Sequence, residues 1–254
     1  MSLRRRLPTN APAWPPDYQR LVLAQVDSTN AEAQRRAGSL SGPCWILGLR
    51  QTDGRGRRGR AWADPAGNFA ATLALRSSDG PARLALRTFT AALALREALI
   101  SVTGLDKAFA LKWPNDVLLN GGKLSGILLE SAGQGVLALG IGVNLRDAPP
   151  ADPDAAFAPV SLRAETGVTV TPEQFLDHLG PAFATWETRL TTYGFEPVRA
   201  AFLAHVARLR EPLVARTQAE TLHGVFETID ETGALVLNTA QGRRTVPAAD
   251  IHFP

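Results

Sequence analysis

Apolar and polar positions alternate over residues 20–26, which predicts a strand, and the polar Asp27, Ser28 and Thr29 that follow can cap a short helix through Ala37, with Asn30 in its first turn. Continuous apolar runs predict buried strands over 44–50 and 69–76, with a polar loop over 51–67 between them. Seventeen residues without periodicity are unusual as a plain connector, and such loops more often bind or cover something. From Pro81 to Val102 the positions Leu86, Phe89, Leu93 and Ile100 keep helical spacing and predict one central helix with Pro81 in its first turn. Strands are expected over 108–113 and 117–120, a turn at Gly121–Gly122, and a returning strand over 123–131, which together make a hairpin. One more strand is expected over 135–143, a loop over 146–159, and helices over 172–192 and 196–208.

Beyond Arg210 the period shortens. Strands are expected over 213–216, 221–229, 234–238 and 243–246, separated by turn residues such as Glu231–Gly233 and Gln241–Gly242. A segment of this size reads as a small β-barrel that leans on a larger body for stability. The expected organisation is a flexible, proline-marked lead-in over 1–19, an α+β body over 20–209 built on a mixed sheet with packed helices, and the barrel over 210–254.

Composition narrows the function classes. No run of about 18 apolar residues occurs, and the basic N-terminus continues into prolines where a signal peptide needs an apolar stretch, so a cytoplasmic protein with no membrane partner is expected. Cys44 is the only cysteine and His178, His205, His223 and His252 show no ligand spacing, which leaves no expected zinc site. The net charge of +3 is small for a dedicated nucleic-acid binder, and the cationic excess gathers at Arg50, Arg55, Arg57, Arg58 and Arg60. Only three of the 27 cationic side chains are lysines, at 107, 112 and 123. With so strong a bias toward Arg, each remaining lysine marks a place where a compact ammonium can matter.

The run GRGRRGR, Gly54 to Arg60, combines backbone freedom with guanidinium forks suited to phosphate oxygens, so it reads as an anion clamp, with a nucleotide phosphate or an RNA backbone as alternatives. KWPND, Lys112 to Asp116, sets a cation, a ring, a backbone stiffener, an amide and a carboxylate at a strand end; it is a site or an ordinary turn. Ser28, Thr29 and Asn30 fit a helix cap or a ligand contact equally well, and Gly140, Gly142 and Asn144 fit a strand-end turn or a ligand contact. Several polar, glycine-marked strand ends in one chain are expected to share one pocket.

The ordered set DSTN (27–30), Q-x-x-GRGRRGR-x-W (51–62), KWPND (112–116), GGKLSGILLE (121–130) and GIGVN (140–144) resembles the biotin protein ligase family. The tail GVFETIDETGALVL (224–237) resembles that family's C-terminal SH3-like barrel. The resemblance implies a class II synthetase-like α+β fold. It also implies ATP-dependent activation of biotin as biotinoyl-5′-AMP, aided by Mg²⁺, and transfer to a lysine of a biotin carboxyl carrier protein. A body that starts near residue 20 resembles the monofunctional members, which implies no operator DNA binding; a homodimer is left open. By the same resemblance Ser28, Thr29, Asn30 and Gln51 would bind biotin, and Gly54, Arg55, Gly56 and Arg57 would hold the phosphate and carboxyl region. Trp62 would lie against adenine, and Lys123 would contact the reacting carbonyl and phosphate. Asp116 would orient the incoming amine or a metal ion, Lys112 would be a supporting catalytic residue, and Asn115, Gly126, Gly142 and Asn144 would help bind the ligands. Lipoate ligases and octanoyl transferases are the related alternative, and an RNA-binding or nucleotide-sensing protein is the alternative of another class.

Overall fold

A computed structural model describes residues 11–151 and 156–253. Residues 1–10 of the expected lead-in, and 152–155 of the loop expected over 146–159, lie outside the described residues. Within the remainder of the lead-in, the indole of Trp14 packs on Gly180, where a β-carbon would come within 2.5 Å of the ring.

The larger sheet holds seven strands: β1 (Gln19–Leu23), β2 (Cys44–Gly48), β3 (Phe69–Arg76), β4 (Phe109–Lys112), β5 (Asp116–Leu119), β6 (Gly122–Gly133) and β7 (Val136–Val143). Their spatial order is β1-β2-β3-β7-β6-β5-β4, mixed because β1 and β2 are parallel and every other pair is antiparallel. The pairing brings β3, β7 and β6 side by side at the middle, so Thr72 faces Gly140 and Gly142 faces Gly126 across the ladders. Helix α3 (Arg87–Thr103) buries thirteen residues and packs on α5 (Pro172–Tyr193), covering one face of the sheet with Phe89, Leu93, Phe175, Phe183 and Trp186 in the shared core. Helix α1 (Thr29–Arg36) is set against β3, β6 and β7 and covers the other face near Asn30. The parts at the ends are α6 (Phe195–His205) and a five-stranded antiparallel sheet. That sheet comprises β8 (Pro212–Arg216), β9 (Thr221–Ile229), β10 (Leu235–Thr239), β11 (Gly242–Val246) and β12 (Asp250–His252), in order β11-β10-β9-β8-β12.

The smaller sheet shares one hydrophobic cluster with the larger, which includes Leu213, Phe226, Leu235 and Ile251 beside Phe89 and Trp113. Two polar ties add direction: Trp113 Nε1 donates to the Gly233 carbonyl at 2.9 Å, and Arg199 donates to the Ile229 carbonyl at 2.9 Å. No helix among the described residues is long and apolar enough to cross a membrane.

Several elements depart from the sequence expectation. The first strand ends at Leu23, and Val26 keeps only a parallel bridge to Gln51, because the chain bends at Ala24 to enter α1. The single helix expected over 81–102 is broken at Leu86 into α2 (Pro81–Ala85) and α3. No residue of α2 is buried, so nothing holds it in line with the buried turns that begin at Leu86 and Arg87. The hairpin turn is Asn120–Gly121, both with positive φ (50° and 85°), and Gly122 already belongs to β6. A short helix α4 (Leu162–Thr166), capped by Ser161 and Gly167, and the three-residue β12 are further elements that periodicity did not predict.

Candidate active site

One cavity of about 470 Å³ opens over the middle strands of the large sheet. It is lined by Ser28, Thr29, Asn30, Gln51, Arg55, Gly56, Arg57, Trp62, Lys112, Asn115, Asp116, Lys123, Gly126, Gly142 and Asn144, so fifteen expected site residues from five remote segments meet there. Gly54 is the exception. It sits behind the wall, where its carbonyl accepts from Trp62 N at 2.9 Å and a β-carbon would come within 2.5 Å of the Trp62 carbonyl. Its part is to let the loop double back on itself.

The floor is made by glycines. Gly126 and Gly142 are register partners, and the Trp62 ring rests on both: a β-carbon on Gly142 would overlap the indole, and one on Gly126 would sit 3.2 Å from it. Gly140 serves Asn30 in the same way, since a β-carbon there would collide with the Asn30 side chain. Gly140 and Gly142 thus lie inside β7 rather than in a strand-end turn, and their small size is used for close approach.

At one end of the cavity, Ser28 is the N-cap of α1 while Thr29 and Asn30 begin its first turn, so capping and lining coincide here. Thr29 donates from both its backbone N (2.9 Å) and its hydroxyl (3.1 Å) to Gln51 Oε1. Asp27 turns away to a two-pronged pairing with Arg35 at 2.6 and 2.9 Å, and that guanidinium holds its carboxyl well below the usual carboxylate range.

The Arg/Gly loop crosses above this floor. It is not structureless: Arg57–Gly59 form one 3-10 turn and Arg55 bridges Ala61. Arg57 Nη1 donates to Asn115 Oδ1 at 2.9 Å, and Asn115 Nδ2 donates to the Ile127 carbonyl at 2.6 Å, so the loop is joined to KWPND through one amide. The loop's base is tied by Asp64, whose Oδ2 accepts from Gln51 N at 2.9 Å; burial raises this carboxyl from 3.8 to about 6.

Two ammoniums share one carboxylate. Lys112 Nζ lies 3.1 Å from Asp116 Oδ2 and Lys123 Nζ lies 3.0 Å from Asp116 Oδ1. Burial opposes ionisation of Asp116, but the two ammoniums outweigh it and hold the carboxyl below its ordinary value. Lys112 is buried and packs over the Phe157 ring, 4.9 Å from its centroid, whereas Lys123 is 37% exposed and faces the cavity. Lys123 is fixed from outside the hairpin: its N donates to Ala158 O (2.8 Å) and its carbonyl accepts from Val160 N (3.0 Å).

The structure adds walls that sequence reasoning missed. Phe157 and Pro159 close one side, with Phe157 set edge-on to Phe253 at 4.8 Å, and β12 contributes Asp250, Ile251 and His252. Asp250 also lies 3.7 Å from Arg60. No motif marks these residues: pairing with Lys123 carries Phe157 and Pro159 here, and closure of the small sheet against the large one brings β12. The cavity therefore offers a hydrogen-bonding end, a cationic middle and a partly aromatic end, a sequence suited to a polar ring carrying a carboxylate next to a nucleotide.

Residues 22–145 match the biotin/lipoate A/B protein ligase family, and residues 214–253 match the biotin protein ligase C terminal domain. The chain is 54% identical to the biotin--[acetyl-CoA-carboxylase] ligase of Paracoccus denitrificans over 91% of this chain and 99% of that protein. It is 32% identical to the Mycobacterium tuberculosis protein of the same name over 98% of this chain and 93% of that one. In three dimensions it is similar to the biotin protein ligase of Aquifex aeolicus in complex with biotin and ATP, with a TM-score of 0.81 at 23% identity over 92% of this chain and 97% of that one. With identity of that level over nearly the whole of a relative, the chain belongs to the biotin protein ligase family.

Proposed function

We propose that this chain couples ATP to biotin as biotinoyl-5′-AMP and passes the biotinoyl group to a lysine of a biotin carboxyl carrier protein. The observation that carries the reading is the meeting of Thr29, Gln51, Arg57, Asp116 and Lys123 around one cavity.

In the first step a biotin carboxylate oxygen attacks the α-phosphorus and pyrophosphate leaves. Two anions must approach, so the requirement is cationic: Arg55, Arg57 and Lys123 line the middle of the cavity and offset that repulsion. Thr29 and Gln51 hold the polar ring of biotin, and Trp62 gives the ligand a flat apolar wall. Asn144 and Phe157 line the nucleotide end. Magnesium would enter with ATP, held chiefly by phosphate oxygens and water; among the described residues no three His, Cys, Asp or Glu side chains gather into a metal site of their own.

In the second step the carrier lysine's amine attacks the activated carbonyl and AMP leaves. Asp116 stays ionised between two ammoniums, which suits it to orient an incoming amine and makes it a weak proton acceptor. The domain reading that goes with this is a biotin- and ATP-binding body over 20–209 with the barrel over 210–254 closing the nucleotide end, in the cytoplasm and without a DNA partner. The basic loop supports that last point, since Arg55, Arg57 and Arg60 all line the cavity.

The decisive experiment is biotin-dependent exchange of labelled pyrophosphate into ATP, followed by transfer to a biotin carboxyl carrier domain. Exchange with lipoate and not biotin would assign the lipoate branch, and salt-sensitive RNA binding without exchange would assign the non-enzymatic reading.

A further inference from the structure

His252 belongs to none of the motifs, yet it lines the cavity from the last strand of the small sheet. Strand β7 gives the order of the site from end to end: Gly140 lies under Asn30, Gly142 lies under Trp62, and Asn144, just past the strand, donates to the Val160 carbonyl at 3.0 Å. Strand β12 stands at the Asn144 end, where Phe253 meets Phe157 and Pro159 bridges Lys123. Much of that wall cannot donate a hydrogen bond, because Pro149, Pro150, Phe157 and Pro159 have apolar side chains. His252 can donate, and among the described residues nothing hydrogen-bonds its ring.

The first step needs a donor at this end. As the bond from a biotin carboxylate oxygen to the α-phosphorus forms, the bond from that phosphorus to the oxygen shared with the β-phosphate breaks, and its electron pair leaves on pyrophosphate. Attacking and leaving oxygens lie roughly in line. With the biotin ring at Thr29 and Gln51 and the α-phosphate at Arg55, Arg57 and Lys123, the leaving group points toward β12. The charges there suit it. Burial first, then Arg216, Lys112 and Arg60, hold the imidazole below its ordinary value, against Asp250 on the same strand. Asp250 does not make the corner anionic, since it has Arg60 at 3.7 Å and Arg216 opposite it in the ladder. Arg208, behind Phe253, is paired with Glu211. The ring is therefore neutral at pH 7 in a cationic surround, and a polyphosphate arriving beside it favours the imidazolium.

We propose that His252, together with Arg60, receives the β- and γ-phosphates of ATP and then the pyrophosphate they become. The inference rests on the biotin adenylation reading and gives the small sheet a part in the chemistry, since β12 carries the donor that meets the leaving group. His252 takes up a proton as ATP binds and returns it when pyrophosphate departs, so its charge is present while the phosphates are.

The test follows transfer of biotin to a carrier domain by the full chain, with ATP and biotin varied separately and pyrophosphate or AMP added as inhibitor. In His252→Ala at about pH 6.5 the KM for ATP and the inhibition constant for pyrophosphate both rise about tenfold, while the KM for biotin and the inhibition constant for AMP stay within about twofold. His252→Gln keeps a donor without the charge. Its pyrophosphate inhibition constant divided by that of the wild type is about fivefold at pH 6 and falls to within about twofold at pH 8, because titration of pyrophosphate itself cancels in the ratio. An unchanged pyrophosphate constant in His252→Ala, an equal rise for AMP, which would set the ring against the nucleoside, or a ratio that does not vary with pH would each overturn the proposal and leave the biotin reading standing. A wild-type chain with no biotin-dependent transfer would remove both.

Discussion

The indole of Trp62 lies on Gly142 with no room for a β-carbon between them. A loop residue is thereby docked on a strand of the central sheet, and the Arg/Gly loop that ends at Trp62 takes its height above the floor from that contact. Gly142→Ala forces the ring upward, because its neighbour there is a whole indole rather than the free end of a flexible chain. We expect a fall in kcat/KM for biotin of about tenfold or more with the melting temperature shifted by only a few degrees. Steady-state kinetics and a thermal melt check this, and full activity would mean that the ring position is not used.

Arg57 joins the loop to KWPND through Asn115. In Arg57→Ala the loop loses that link and the cavity loses a cation, so the adenylate formed in the first step is expected to escape into solution faster than in the wild type. Trapping released biotinoyl-AMP during single turnover measures it. Retention equal to wild type would show that the arginine does not hold the intermediate.

Lys112 and Lys123 play unequal parts around Asp116. Lys123→Ala removes the cavity-facing ammonium while Lys112 still pairs Asp116, so pyrophosphate exchange slows by about a hundredfold or more and stability changes little. Asp116→Ala leaves the buried Lys112 without its partner and costs about 3 kcal/mol of stability. Urea titrations of the two variants separate these effects; equal destabilisation would contradict the asymmetry.

Asp64 gives a pH dependence with a definite sign. Its carboxyl is raised from 3.8 to about 6 in the folded chain, so the folded state binds its proton more tightly than the unfolded state does. The stabilisation tied to that proton is complete below the lower value and disappears as pH rises through the upper one. Asp64→Asn keeps an oxygen for Gln51 N and removes the titration, so the wild type loses more stability than the variant between pH 4 and pH 6.5. Parallel curves of melting temperature against pH for the two proteins would refute this.

Local chemistry was legible along the chain because it depends on neighbours. Alternation marked β9 at its observed bounds, Thr221–Ile229, and the polar DSTN segment marked the start of α1, since strand faces and helix caps are decided within a few residues. The motif residues were legible for a similar reason: GRGRRGR and KWPND carry unusual concentrations of glycine, charge and amide groups that a plain loop has no need for. The Leu86 break was not legible, because α2 and α3 share one period and differ only in what lies beneath them.

The sequence by itself determined which side chains were available for chemistry and where most of the longer strands and helices would run. Tertiary structure alone decided that Asn30 would meet Glu130, that Trp62 would lie on Gly126 and Gly142, and that β12 would help wall the cavity. The reason is physical: periodicity and capping are short-range properties of the chain, whereas the register of β3, β7 and β6 and the docking of two sheets arise from burial shared among residues far apart in sequence, which no local pattern encodes.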